Sequence, residues 1–229
     1  MKKAIVTGGA DGIGLAIAKD LAKTGFEVHS IDSKASIETI DKITYHQLNI
    51  NDKKNIKELL ESIGSIDLLV NNAAIQIEKP FVETNNDEIR QVLMTNLLDT
   101  ISFTHQLLPF MNINSQIINI GSVHSQKPRL NKLTYDVSKA GLDMFTKSLA
   151  LELAPDIRVN QLNVGATLTS MNANFKTNPE ILEATKNRIP LQHIFTPEEI
   201  ADAVLALASN NFKWMSGSIV IYDGGRSLK

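Results

Sequence analysis

Short runs of β-branched and aliphatic residues alternate with helical patterns along the whole chain of 229 residues. Seven of these runs predict β-strands, and the stretches between them carry apolar residues at helical spacing. Strands that alternate with helices favour a parallel sheet with helices on both of its faces. The pattern therefore predicts an α/β fold with a doubly wound, seven-stranded parallel sheet flanked by helices.

The strands are predicted at residues 3–7, 27–31, 43–48, 67–71, 116–121, 157–162 and 218–222. Helices are predicted at 13–23, 53–62, 87–108, 135–153 and 197–209, the last with a capping box that begins at Thr196. No linker or internal repeat divides the chain, so we expect a single domain over residues 1–229. The polar segment 167–194 fits neither a strand nor a long helix. Because this segment follows a predicted strand, we expect it to be a mobile substrate loop.

Composition excludes several classes of function. Lys and Arg total 23 and Asp and Glu total 25, so the net charge is −2, and no run of like charge suggests a nucleic-acid or membrane partner. The chain has no cysteine, which excludes disulfides, zinc–cysteine sites and thiol catalysis. We expect no metal site. No apolar run approaches the roughly 18 residues that span a bilayer, and no apolar signal segment precedes the first strand, so we expect a cytoplasmic protein.

A glycine-rich turn follows the first predicted strand and leads into the first helix. It runs from Thr7 to Gly14 and contains Gly8 and Gly12. A helix N-terminus offers free backbone amides and the positive end of the helix dipole, both of which suit a pyrophosphate. The turn therefore predicts dinucleotide binding and identifies the sheet as a Rossmann fold.

Asp32 ends the second predicted strand, 18 residues after Gly14. A carboxylate at this spacing accepts hydrogen bonds from the ribose hydroxyls of NAD and repels the 2′-phosphate of NADP. Neither the turn nor Ser33 offers a cation to offset that repulsion, and Lys34 lies two residues further on. We therefore expect NAD as the cofactor, with NADP disfavoured.

Two polar residues lie where a plain core would be apolar. Asn96 lies on the apolar stripe of the predicted helix 87–108, and Ser122 follows the predicted strand 116–121. A buried amide without partners costs about 1 to 3 kcal/mol, so Asn96 must hold either a backbone bulge or a water molecule.

Tyr135 and Lys139 are four residues apart at the start of a predicted helix, so they share one face and can reach one ligand. A nearby ammonium lowers the pKa of a phenol, which would make Tyr135 a usable acid or base.

Taken together, these motifs resemble the short-chain dehydrogenase/reductase family over essentially the whole chain. The matching elements are the Thr7 to Gly14 turn, Asn71 to Ala74, Asn96, Ser122, the Tyr135 to Lys139 pair and Asp223-Gly224-Gly225. The resemblance implies that Tyr135 is the general acid or base and that Ser122 polarises the substrate oxygen. It further implies that Lys139 grips the nicotinamide ribose and lowers the pKa of Tyr135, and that Asn96 holds a water in a proton relay.

The resemblance also implies an activity and a cofactor site. The chain would be an NAD-dependent dehydrogenase or reductase that moves a hydride between the nicotinamide and a CH–OH carbon, and it would form a homotetramer. The cofactor-binding residues implied are Gly8, Asp11, Gly12, Ile13, Gly14, Asp32, Asn49, Ile50, Asn72, Ala73, Ala74, Tyr135, Lys139, Gly165, Thr167 and Thr169.

Three further residues suggest a substrate. Gln76, His124 and Lys132 resemble the carboxylate-binding set of D-3-hydroxybutyrate dehydrogenases, and with Ser122 and Tyr135 they form the expected substrate site. A cation, an imidazole and an amide suit a small hydroxy acid such as 3-hydroxybutyrate. Ala166 and Arg226 depart from that subfamily, which carries bulky aromatic groups there.

Three alternatives stay open. A sugar or polyol dehydrogenase and a 3-oxoacyl-[acyl carrier protein] reductase fit the same family pattern with different substrates. A dinucleotide-binding sensor without catalysis is an alternative of another class.

Overall fold

The computed structural model describes residues 1–35 and 39–229, and it contains a single seven-stranded sheet. The strands are β1 (Lys3–Thr7), β2 (Glu27–Asp32), β3 (Ile43–Gln47), β4 (Ile66–Asn71), β5 (Met111–Ser122), β6 (Ile157–Val164) and β7 (Ile219–Tyr222). All six neighbouring pairs are parallel, in the order β3-β2-β1-β4-β5-β6-β7. The seven predicted strands and the doubly wound topology are confirmed.

The helices are α1 (Gly12–Lys23), α2 (Lys53–Ile63), α3 (Asn86–Leu93), α4 (Asp99–Leu107), α5 (Leu133–Leu153), α6 (Asn174–Thr177), α7 (Pro179–Lys186) and α8 (Pro197–Ala208). Helices α1 and α8 pack on one face of the sheet, and α2, α4 and α5 cover the other. Among the described residues, no helix has both the length and the apolar character that a membrane span requires.

The central strands are apolar on both faces because helices cover both. In β1, Ala4 and Val6 contribute to one core cluster while Ile5 contributes to the other, and all three are fully buried. Continuous apolar runs of this kind are typical of parallel sheets. The strand order reverses between β1 and β4, which leaves a crevice at the carboxyl ends of these strands.

The predicted single helix at 87–108 is interrupted. A π-helical turn at Met94–Leu98 separates α3 from α4 and carries Asn96, which is 1% exposed. From within this widened turn, the Asn96 side chain pairs with the backbone of Ile75, next to β4. Of the two roles expected for Asn96, the described contacts match a side chain that holds backbone at a bulge.

The polar segment 167–194 is more regular than its sequence suggests. It contains a 3₁₀ turn at Ser170–Asn172 and the two short helices α6 and α7. Asn178 caps α7 by accepting from the backbone N–H groups of Glu180 and Ile181, and Pro179 occupies its first position. Both residues are typical helix-start signals, so this helix could have been predicted from the sequence.

Candidate active site

A cavity of about 440 Å³ opens at the carboxyl ends of the strands, at the point where the strand order reverses. Nearly all the site residues expected from the sequence line it. The lining includes Gly8, Asp11, Gly12, Ile13, Asp32, Asn49, Ile50, Asn72, Ala73, Ala74, Gln76, Ser122, His124, Lys132, Tyr135, Lys139, Gly165, Thr167 and Thr169. Gly14 and Asn96 lie behind this surface and support it.

The glycine-rich turn brings β1 close to the start of α1. A Cβ atom on Gly14 would lie 2.1 Å from the carbonyl oxygen of Gly8, so only glycine fits. Asp11 caps α1 by accepting from the N–H of Gly12 at 2.7 Å. The next amides of the first helical turn have no intrahelical acceptors and are available to an anion. The turn therefore fits the pyrophosphate of a dinucleotide.

Asn72 holds this turn in place. Its Nδ2 donates to the carbonyl oxygens of Thr7 at 3.1 Å and Gly8 at 3.0 Å. The backbone N–H groups of Asn72 and Ala73 donate to Oγ1 of Thr7 at 3.0 and 3.1 Å. The amide side chain of Asn72 thus ties the end of β4 to the end of β1, which is a positioning role.

The adenosine end of the cavity is formed by Asp32 and Asn49. The Asp32 carboxylate accepts from the backbone N–H groups of Ala10 at 3.0 Å and Lys34 at 2.9 Å. Since a carboxylate has about four acceptor sites, it can still accept from ribose hydroxyls. Asn49 is exposed at the rim, and its Oδ1 accepts from the N–H of Asn51 at 3.3 Å.

The opposite wall comes from the segment after β6. Thr167 is buried, and its Oγ1 donates to the carbonyl oxygen of Gly165 at 3.2 Å. The hydroxyl of Ser170 donates to the Asp11 carboxylate. The loop therefore contacts the glycine-rich turn across the cavity and narrows its opening.

Asn96 fixes the backbone beside the reaction centre. Its Oδ1 accepts from the N–H of Ile75 at 2.8 Å, and its Nδ2 donates to the carbonyl oxygen of Ile75 at 2.9 Å. Nδ2 also lies 3.1 Å from the hydroxyl oxygen of Ser138, which in turn donates to the carbonyl oxygen of Tyr135. This contact joins Asn96 to α5, the helix that carries Tyr135 and Lys139.

Ser122, Tyr135 and Lys139 meet at the end of β5. The phenol of Tyr135 is hydrogen-bonded to the hydroxyl of Ser122, and Lys139 Nζ lies 5.7 Å from the centre of the tyrosine ring. Lys139 Nζ donates to the carbonyl oxygen of Ile120 at 2.9 Å. A substrate oxygen can therefore contact two hydroxyl groups at once.

Burial controls the pKa values of these groups. Burial raises the pKa of Tyr135 to about 12, while the hydrogen bond from Ser122 acts in the opposite direction. Burial also lowers the pKa of Lys139 to about 8, partly offset by the charge of Asp143. The net shift of the Tyr135 pKa is upward, because removal of the phenolate from water outweighs the Ser122 hydrogen bond and the charge of Asp136 adds to the rise. A lowering of this pKa by Lys139 stays a prediction.

Gln76 and Lys132 come together at the other end of the cavity, as the sequence suggests. Lys132 is 3% exposed, and its Nζ donates to Oε1 of Gln76 at 2.8 Å. The carboxylate of Glu78 lies 3.4 Å from the same Nζ. Burial lowers the pKa of Lys132, whereas Glu78 raises it. The ammonium is thus already partly neutralised by residues of the chain.

His124 differs from the expected carboxylate ligand. Its Nδ1 lies 3.2 Å from the carbonyl oxygen of Lys127, which can only accept, so Nδ1 carries the proton. Burial, followed by the charge of Lys132, lowers the pKa of His124 to about 4. The neutral ring therefore presents an unprotonated Nε2, which accepts from a hydroxyl group but cannot donate to a carboxylate.

Two arginines also line this end of the cavity. Arg129 Nη2 lies 3.4 Å from Glu78 Oε1, and Arg226 follows the Asp223-Gly224-Gly225 motif. Arg226 is visible in the sequence as a departure from the aromatic residue of the related enzymes. Arg129 and Glu78 belong to no motif, and only the fold brings them to the cavity.

Comparisons with known proteins agree with this geometry. A family model described as enoyl-(acyl carrier protein) reductase matches residues 8–227. The 3-oxoacyl-[acyl-carrier-protein] reductase FabG of Thermotoga maritima is 33% identical over 98% of this chain and 97% of its own length. The L-xylulose reductase of Mesocricetus auratus is 31% identical over 98% of this chain and 96% of its own length. A solved structure of 3-oxoacyl-[acyl-carrier protein] reductase from Brucella melitensis in complex with NAD has a TM-score of 0.90 and 28% identity, covering 100% of this chain and 98% of that chain.

Proposed function

The chain belongs to the short-chain dehydrogenase/reductase family, and from this premise we propose that it is an NAD(H)-dependent oxidoreductase acting on a small hydroxy acid. The observation that carries the proposal is the meeting of Ser122, Tyr135 and Lys139 in the same cavity as the glycine-rich turn. A sensor without catalysis would need only the turn and Asp32, so this arrangement favours an enzyme.

The residues that would hold the cofactor lie along one side of the cavity. The amides of the glycine-rich turn suit the pyrophosphate, Asp32 suits the adenosine ribose, and Lys139 suits the nicotinamide ribose. A bound nicotinamide supplies or accepts the hydride. The protein contributes position and exclusion of water, which are the principal means by which it accelerates such a transfer.

Tyr135 and Ser122 handle the proton at the substrate oxygen. With a pKa of about 12, the phenol is protonated near neutral pH and is ready to donate to the oxygen of a ketone during reduction. Ser122 donates a second hydrogen bond to the same oxygen and polarises the carbonyl. In the oxidative direction Tyr135 must first lose its proton, so that direction is favoured at higher pH.

NAD is favoured over NADP by the charges at the adenosine end. Asp32 lines the cavity there, and its carboxylate would repel a 2′-phosphate. Lys34 is the cation nearest to Asp32 in sequence, and it contributes its backbone N–H to that carboxylate.

The substrate assignment rests on the buried cation Lys132 and its partner Gln76, which suit the carboxylate of an acid such as 3-hydroxybutyrate. Two alternatives have relatives that support them. The similarity to L-xylulose reductase favours a sugar or polyol, and the similarity to FabG favours a 3-oxoacyl thioester.

The test is the initial rate of NADH formation from (R)-3-hydroxybutyrate, glucose and 2-butanol, with NADP as the cofactor control. We expect turnover of the hydroxy acid with NAD at a rate well above that of the two neutral alcohols. Turnover of glucose alone would establish the sugar alternative. No turnover despite NADH binding would exclude the hydroxy acid, and 3-oxoacyl thioesters would be tested next.

A further inference from the structure

Arg226 is a cation without an assigned role at the substrate end of the cavity. It lies in the 3₁₀ turn Arg226–Leu228, directly after Gly225, whose φ of 85° turns the chain back toward the cavity. Its side chain lines the cavity together with Lys132 and His124. The charges of Arg226 and Lys132 both act on His124, so the three groups border the same space.

One donor of the Arg226 guanidinium has no partner in the described part of the chain. Its Nη1 is buried and has no hydrogen-bond partner among residues 1–35 and 39–229. A buried donor of a charged group that stays unpaired is costly, and most such groups in native proteins are satisfied. An acceptor from outside the chain would meet this need.

The carboxylates of the chain that lie nearby are already engaged. Both oxygens of Asp223 accept from backbone N–H groups, of Gly225 at 2.7 Å and Ser227 at 2.6 Å. Glu78 lies 3.4 Å from both Arg129 and Lys132. In the part of the chain that the structure describes, Arg226 has no ion pair; the charges of Arg129 and Arg188 act on it unfavourably, and the charge of Asp223 offsets them only in part. The substrate end of the cavity can therefore accommodate one more negative charge beside Arg226.

We infer that Arg226 binds the carboxylate of the substrate and selects anionic hydroxy and oxo acids over neutral alcohols. This inference rests on the proposed function, and it moves the principal charge contact from Lys132, which is already paired, to Arg226. Guanidinium and carboxylate groups match in a two-pronged hydrogen-bonded pair. His124 Nε2, as an acceptor, is then available to a substrate hydroxyl and does not compete for the carboxylate.

The test compares the binding of butyrate and its neutral analogue butyramide, neither of which can react. Ligand-observed NMR would measure their affinities for the NADH-loaded enzyme and for the Arg226→Gln variant. We expect the substitution to weaken butyrate binding about tenfold or more and to change butyramide binding less than about twofold, because only butyrate forms a charged hydrogen-bonded pair with the guanidinium. Equal affinity of the variant and the natural protein for butyrate would overturn the inference.

Two further variants complete the design. Arg188→Gln removes an exposed arginine whose charge also acts on Arg226, and it should leave butyrate binding within about twofold, since exposed charges are screened. Arg226→Lys keeps the charge but loses the planar fork, so we expect an intermediate loss for butyrate. If Arg226→Gln fails to fold, Arg226→Met takes its place as a neutral variant of similar length, and an unchanged butyrate affinity in it would overturn the inference.

The design separates this inference from the proposed substrate. If the enzyme does not oxidise 3-hydroxybutyrate but butyrate binding still depends on Arg226, the substrate is a different anionic hydroxy acid and the inference holds. If the enzyme oxidises 3-hydroxybutyrate and its methyl ester, and Arg226→Gln lowers kcat/KM equally for both, the proposed function holds and the inference fails.

Discussion

Tyr135 and Lys139 illustrate how burial can oppose an effect that sequence spacing suggests. The i, i+4 spacing places the two residues on one face, and the structure brings the ammonium to 5.7 Å from the ring. Both groups are almost inaccessible, so each resists its charged form. The neutral phenol makes the protein by itself better prepared for reduction than for oxidation.

The pH dependence of the two directions follows from these pKa values. Below the Tyr135 pKa of about 12, each pH unit raises the phenolate fraction about tenfold, so kcat/KM for oxidation should rise from pH 6 to about 8, where loss of the Lys139 proton begins to oppose the rise. Reduction needs the phenol, and it should stay level until Lys139 loses its proton near pH 8 and then fall. Initial rates in both directions over this range check the prediction. A flat oxidation profile would be inconsistent with Tyr135 as the base.

Asp32 is predicted to control the choice of cofactor. Asp32→Asn removes the negative charge but keeps an oxygen acceptor for the N–H of Ala10. We expect the ratio of kcat/KM with NADP to kcat/KM with NAD to rise about tenfold, because repulsion of the 2′-phosphate is removed. Glu58→Gln, on the exposed side of α2, is the matched control. An unchanged ratio in Asp32→Asn would show that another group selects the cofactor.

At the scale of single elements, the π-helical turn Met94–Leu98 joins three parts of the site. Through Asn96 it holds the backbone of Ile75 beyond β4 and contacts Ser138 in α5. The sequence indicated that Asn96 was buried and needed partners, but not which ones. Its partners lie 21 and 42 residues away, so only the packed structure identifies them.

Removal of the Asn96 side chain should therefore affect both stability and activity. In Asn96→Ala the N–H and C=O groups of Ile75 lose their partners, which should cost about 2 to 3 kcal/mol of unfolding free energy. We expect kcat to fall more than the cofactor Kd rises, since the effect is greatest near Tyr135. Urea unfolding and NADH titration measure these changes, with His105→Ala on the exposed face of α4 as control. Wild-type stability in Asn96→Ala would exclude the positioning role.

In the segment 167–194, unlike at Asn96, local sequence signals were sufficient to predict a helix. The polar composition of the segment nevertheless favoured the prediction of a loop. Asn178 and Pro179 begin α7 in the usual way, yet the polar surroundings favoured a loop. Ser170 and Asp11 are 159 residues apart in sequence, so no local sequence signal could predict their contact. Short amphipathic helices of this kind depend on tertiary packing, so their patterns are weak.

For the whole molecule, the fold could be predicted well because strands and helices alternate along the chain, which favours a parallel sheet throughout. All neighbouring strands of the sheet are parallel, so the carboxyl ends of the seven strands meet at one edge. Motifs at those ends, such as Asp32, Asn72 and Ser122, therefore converge without further information. The substrate end of the cavity could not be predicted in this way. Its residues Glu78, Arg129 and Arg226 lie in the segments after β4, β5 and β7, and the strand pattern does not determine the shapes of these segments.

Exposed apolar side chains on the α5 face agree with the homotetramer that family resemblance implies, which remains a proposal. Met144 and Leu151 on α5 are 61% and 82% exposed, and Leu98 in the π-helical turn is 50% exposed. Apolar residues grouped in this way are typical of an interface.

We expect Leu151→Glu to dissociate the assembly at least in part, because a charge is costly within an apolar interface. Light scattering coupled to size exclusion measures the mass of each species. Ile113→Glu, at an exposed apolar position on β5 that is not part of this group, serves as control. A monomeric natural protein would contradict the proposal directly.

We propose that Tyr135 donates the proton in an NADH-dependent reduction within this cavity. The most direct test measures NADH binding by fluorescence and NADH oxidation with acetoacetate, in the natural protein and in Tyr135→Phe. We expect a similar Kd for NADH in both proteins and a fall in kcat of about a hundredfold to ten-thousandfold in the variant, the range typical of general acid catalysis. Turnover in Tyr135→Phe at the rate of the natural protein would exclude Tyr135 as the proton donor.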